Sequence, residues 1–159
     1  MNIIAIIPAR MGSSRFPGKP MHMISGIPMI GHCFLRTKLA KGFNEVYVAT
    51  CDNEIAKYIE SINGKIVMTS SAHTRATGRT AEAIEKIETE SGQNVDIALM
   101  VQGDEPLIIP NDLTKMIKEF SDPEVKIVNL MSKIKSRESF EDKNNVKVVV
   151  KENMNALYF

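Results

Sequence analysis

Three cations lie within ten residues near the amino terminus. Arg10, Arg15 and Lys19 all fall in the segment PARMGSSRFPGKP, which runs from Pro8 to Pro20. Gly12, Ser13, Ser14 and Gly18 stand between them. Small residues let backbone N–H groups approach an anion, and guanidinium and ammonium groups neutralise it. The combination suits a triphosphate; the competing reading is a solvated basic loop. Two common phosphate grips do not apply. The gap from Gly12 to Gly18-Lys19 is one residue too long for a P-loop, Pro20 stands where a P-loop carries Ser or Thr, and no GxGxxG is present. Phosphates here are expected to meet an extended loop with side-chain cations.

A second polar segment, Gln102-Gly103-Asp104-Glu105-Pro106, follows the apolar run DIALMVQ. Gly103 lets the chain turn. A carboxylate at Asp104 is a hard oxygen ligand suited to Mg²⁺ on a nucleotide. Alone, this segment also reads as a plain turn with solvated acids.

The surrounding elements determine whether the two segments meet. Apolar runs predict strands over Asn2–Ile7, Glu45–Thr50, Lys65–Thr69 and Asp96–Gln102, with later strands over Lys126–Met131 and Asn145–Val150 and another starting at Ala156. Helical spacing predicts helices from Pro28 to about Lys41 capped by Gly42, over Asn53–Ile62 stopped by Asn63-Gly64, over Thr80–Glu90 and over Pro110–Phe120. Ser70–Arg79 reads as a polar loop. Such alternation implies right-handed crossovers and an α/β fold: a three-layer, mostly parallel sheet. Ligands in these folds sit beyond the carboxyl ends of the strands, where both polar segments fall.

Composition narrows the class. The 159 residues suit one domain, with 43% hydrophobic and 25% charged residues as in a folded globular protein. A net charge of +1 gives no footprint for nucleic acid. Cys33 and Cys51 form no zinc or disulfide pattern and read as buried small hydrophobes, so a reducing cytoplasm is the simplest setting. The apolar run from Ile3 to Pro8 is too short to span a bilayer. Met29, Met100 and Met116 have core spacing, Asp52 suits a helix cap, Lys147 reads as solvent-facing, and Lys133–Lys143 reads as a solvated surface helix or loop.

PARMGSSRFPGKP at 8–20, GIPMI at 26–30, VATCDNEIA at 48–56, VQGDEP at 101–106 and NNVKVVV…ALYF at 144–159 together resemble the 3-deoxy-manno-octulosonate (KDO) cytidylyltransferases, in that family's order and along essentially the whole chain. The resemblance implies a Rossmann-like nucleotide-diphospho-sugar transferase fold. It implies CMP transfer from CTP to the anomeric hydroxyl of an acidic keto-sugar, with Mg²⁺ and release of pyrophosphate, for lipopolysaccharide or capsule sugar activation. It places Pro8, Ala9, Arg10, Gly12, Ser13, Arg15, Lys19, His73, Arg79 and Gln102 at the nucleotide, Gln102 and Arg75 at the sugar, and Asp104 on the metal. Arg10, Lys19 and Asp104 are the expected catalytic groups. His73 also reads as an ordinary loop histidine.

The chain departs from the family in two places. The family's HxSGTER loop corresponds to His73-Thr74-Arg75-Ala76-Thr77-Gly78-Arg79, with Arg75, Ala76 and Gly78 replacing Ser, Gly and Glu. Arg75 is either a further anion contact or a surface substitution. The family also continues well past the ALYF stretch. The resemblance therefore implies that these residues are an N-terminal portion: a truncated product, a partial sequence or a short homologue. A chain of this length alone is expected to lack part of the metal shell and to turn over weakly; at full length a homodimer is expected. The alternatives are a cytidylyltransferase for another nonulosonate, such as a sialic acid, and a nucleotide-binding module with little turnover.

Overall fold

The computed structural model describes residues 1–12 and 16–159. Its centre is β1 (Ile3–Ala9), whose seven residues carry apolar side chains throughout and are almost all buried. A strand covered on both faces needs such a continuous apolar run. β1 pairs in parallel with β4 (Glu45–Thr50) on one side and with β6 (Ile97–Met100) on the other. β5 (Lys65–Met68) extends the sheet beyond β4, giving the order β5-β4-β1-β6.

Alternation along β1 sorts the layers. Ala5, Ile7 and Ala9 face one core with Val46, Val48, Leu99 and Val101. That core is closed by Ile30, Cys33 and Phe34 of α1 (Met29–Lys38), Ile55 and Ile59 of α2 (Asn53–Ser61), and Leu113 of α4 (Pro110–Glu119). Ile4 and Ile6 face the opposite core, closed by Ala83 and Ile87 of α3 (Ala76–Ser91). Three layers result, as expected. Each fully buried Ile contributes about 1.5–3 kcal/mol of transfer free energy.

A small hairpin precedes α1. β2 (Met23–Ile24) and β3 (Ile27–Pro28) are antiparallel, and Ser25 and Gly26 between them have φ of 48° and 83°. Positive φ at both central residues gives a turn matched to the twist of a hairpin. The sequence reading missed this element, although Ser-Gly between apolar pairs is its usual signal.

Several predicted boundaries are corrected. α1 stops at Lys38, not near Lys41. Gly42 therefore caps nothing; with φ of 104° it makes room for Ile117 of α4, whose Cδ1 would lie 3.2 Å from an added Cβ. α3 begins at Ala76 rather than Thr80, so Arg79 stands on a helix and not in a polar loop. Met100 is 37% exposed and is not a core residue. Lys126–Met131 forms no strand. Among the described residues β6 takes no partner on its outer side, so that stretch has no ladder to join.

No described residue after Leu113 is buried. The region holds α5 (Arg137–Glu141) and a short antiparallel pair, β7 (Val149–Val150) and β8 (Ala156–Tyr158). Lys147 is half-buried rather than solvent-facing, and its ammonium donates to the carbonyl of Asp142. No helix among the described residues is long and apolar enough to cross a membrane.

Candidate active site

The carboxyl ends of β1, β5 and β6 open into one cleft of about 680 Å³. Pro8, Ala9, Arg10, Gly12 and Lys19 line it from the first segment, His73, Arg75 and Arg79 from the second, and Gln102, Gly103 and Asp104 from the third. Every described residue expected at the site from the sequence thus reaches the same cavity. Ser13 and Arg15 lie outside the described residues.

Backbone contacts fix the two key loops. Asp52, just after β4, accepts the Met11 N–H on Oδ2 at 2.8 Å. It stands at the N-cap of α2 but makes no side-chain cap bond there. The expectation of a simple helix cap is therefore corrected: the carboxylate anchors the start of the cationic loop. The Gly18 N–H donates to the Met11 carbonyl at 3.0 Å and closes that loop. Gly18 takes φ of 71°, which favours glycine.

The acidic turn packs directly against β1. A Cβ on Gly103 would lie 2.7 Å from the Pro8 carbonyl oxygen. Only glycine permits this approach, and it carries Asp104 to the cleft edge. There the Lys19 ammonium lies 2.6 Å from Asp104 Oδ2.

The facing wall comes from residues between β5 and α3. Arg10 Nη1 donates to the His73 carbonyl at 3.3 Å. His73 Nε2 lies 2.6 Å from Glu82 Oε2, and Glu82 also bonds Lys86 and the Ser70 N–H. The Lys86 ammonium, the Ser70 amide and His73 hold the Glu82 carboxyl down at about 2. Arg79 is only 2% exposed; its guanidinium donates to the Thr69 hydroxyl and meets Cys51 Sγ at 3.5 Å. The described lining carries four cations, Arg10, Lys19, Arg75 and Arg79, against the single carboxylate of Asp104.

Phe16, Pro20, Met29, Thr74 and Ala76 also line the cleft and were not expected there. Met29 is 7% exposed, so one side chain serves both core and cavity. Phe16 stacks edge to face on His22 at 5.1 Å between centroids; an aromatic residue inside a cationic loop was its only signal. Cys33 is fully buried, and burial pushes its thiol up to about 11. Among the described residues, no cluster of three or more His, Cys, Asp or Glu is arranged to hold a metal by itself.

A parallel sheet flanked by helices, with a cationic cleft beyond its strand ends, defines an α/β protein of the class that takes ligands at that edge. The chain belongs to the cytidylyltransferase family, whose model matches residues 4–159. It is 42% identical to an 8-amino-3,8-dideoxy-manno-octulosonate cytidylyltransferase of a Shewanella species, over 100% of this chain and 64% of that protein. It is also 42% identical to the 3-deoxy-manno-octulosonate cytidylyltransferase of Thermodesulfovibrio yellowstonii, over 100% of this chain and 63% of that one. The structure of a CMP:2-keto-3-deoxy-manno-octonic acid synthetase complexed with CTP superposes with a TM-score of 0.91 at 38% identity, covering 99% of this chain and 63% of the other. The chain thus spans just under two thirds of the length of these relatives.

Proposed function

We propose that these residues form the nucleotide-binding domain of a cytidylyltransferase that moves CMP from CTP to the anomeric hydroxyl of KDO or 8-amino-KDO. The hydroxyl oxygen forms a bond to the α-phosphorus, its proton passes to solvent, the bond between that phosphorus and its β-bridging oxygen breaks, and pyrophosphate leaves. The observation carrying this reading is the convergence of Arg10, Lys19 and Asp104 on one cleft from loops far apart in sequence.

In this reading Arg10 and Lys19 take the triphosphate, and their charges offset what develops on the leaving pyrophosphate. Pro8, Ala9, Gly12, His73 and Arg79 shape the nucleotide side, together with Ser13 and Arg15. Gln102 and Arg75 meet the acidic sugar. A single carboxylate plus substrate phosphates is an ordinary donor set for Mg²⁺, so Asp104 fits as its protein ligand. Bound there, the ion supplies Lewis-acid polarisation of the phosphoryl group. Lys19 then exchanges its Asp104 contact for phosphate oxygen. A cytoplasmic setting and a homodimer at full length belong to the same reading.

Calorimetric titration with CTP, UTP and ATP in Mg²⁺, followed by pyrophosphate release with KDO, 8-amino-KDO and sialic acid, tests the proposal. Preference for CTP and release with either octulosonate are expected. Equal affinity for all three nucleotides removes the cytidylyl assignment. CTP binding without release by the full-length protein leaves a binding module.

A further inference from the structure

Helix α3 turns one face toward the connection that precedes it. Arg79, Glu82 and Lys86 stand at i, i+3 and i+7 on that face. All three reach backward. Arg79 Nη1 donates to the Thr69 hydroxyl. Lys86 Nζ donates to the Met68 carbonyl at 2.7 Å. Glu82 accepts the Ser70 N–H at 2.9 and 3.1 Å, lies 2.6 Å from His73 Nε2 and pairs with Lys86 at 2.9 Å.

Glu82 does not line the cleft, but His73 does. A carboxylate can only accept, so His73 Nε2 carries the proton of their bond. The other ring nitrogen then points to Gly78, where an added Cβ would lie 3.0 Å from Nδ1. The carbonyl of the same histidine receives Arg10 Nη1. A continuous path of bonds therefore runs from Glu82 through His73 to a cation of the first loop.

We infer that Glu82 is a positioning residue: it holds His73 and the adjoining wall against α3, so that Arg10 stays aimed into the cleft. This rests on the nucleotide-site reading above. Removing only its charge and removing only its reach are separable changes. Glu82→Gln keeps an oxygen for the Ser70 N–H and for His73. Glu82→Asp keeps the charge beside Lys86 but withdraws the oxygens by one methylene.

The test measures Ser70 amide exchange and CTP affinity in the full-length protein for both variants, with Glu85→Ala on the exposed side of α3 as control. Glu82→Asp is expected to speed Ser70 exchange and weaken CTP binding by about tenfold, the loss of one charge-assisted hydrogen bond. Glu82→Gln should recover most of both, and Glu85→Ala should match wild type. Wild-type affinity and Ser70 protection in Glu82→Asp overturn the inference. So does faster exchange with unchanged affinity, which makes the residue structural only. If the wild-type protein binds no CTP, the nucleotide reading fails instead, and Ser70 exchange still decides whether Glu82 holds the wall.

Discussion

The ammonium of Lys19 sits 2.6 Å from a carboxylate oxygen of Asp104, a residue 85 positions further along the chain. The two groups expected to handle phosphate and metal therefore neutralise each other. Under the proposed function a magnesium-bound nucleotide would replace that one ion pair by two, Lys19 with phosphate and Asp104 with Mg²⁺. Lys19→Ala should weaken CTP binding in Mg²⁺ by on the order of tenfold or more, as expected for a charge-assisted contact. Asp104→Asn should retain CTP binding without Mg²⁺ and lose the enhancement that Mg²⁺ gives. Titration calorimetry with and without the ion separates these outcomes.

Gly103 is the mechanical link between the two loops. An alanine there sets its Cβ 2.7 Å from the Pro8 carbonyl, and backbone cannot swing aside as a flexible side chain does. Gly103→Ala should cost about 1–3 kcal/mol in urea unfolding, typical of overpacking. Its loss of CTP affinity should exceed that of Gly12→Ala, whose Cβ meets nothing within 4 Å.

Glu82 makes stability depend on acid. Its carboxyl is held at about 2 in the fold, below its ordinary value of 4.5. The contribution is thus fully present above the ordinary value and fades as pH falls toward the folded one. Urea midpoints measured from pH 6 to 2 should fall more steeply for wild type than for Glu82→Gln. Parallel curves remove this carboxylate from the acid response.

The two cysteines should differ in reactivity. Cys33 is fully buried with its thiol pushed up to about 11, whereas Cys51 is half-buried beside Arg79. Thiolate is the reacting form. Iodoacetamide on the native protein should modify Cys51 and spare Cys33, read by peptide mass; labelling of Cys33 at an equal rate contradicts the packing of α1.

The strands and helices closest to the sheet were legible because one burial pattern dictated each of them. β1 reads as a continuous apolar run, β4 carries Val46 and Val48 at period two, and the isoleucines of α2 recur at helical spacing. The start of α3 was hidden because Ala76-Thr77-Gly78-Arg79 looks loop-like locally. Its helical state leans on Arg79 reaching Thr69 and on Glu82 reaching Ser70, contacts that no local pattern encodes. Asp52 misled for the same reason: its type suits a cap, but the Met11 amide from another strand's loop claims the carboxylate. Lys126–Met131 has strand-like composition, yet pairing needs a neighbour as well as a propensity. At the site, residue types announced the cations that line the cleft, while Met29 and Pro20 became lining only through the path of the chain.

One helix serves two purposes in this architecture. Among the described residues α3 alone covers the Ile4–Ile6 face of the sheet, and its first turn borders the cavity. Under the proposed function, a group bound in the cleft that steadies Ala76 and Arg79 would link binding to folding through this single element and slow solvent's access to the rear of the sheet.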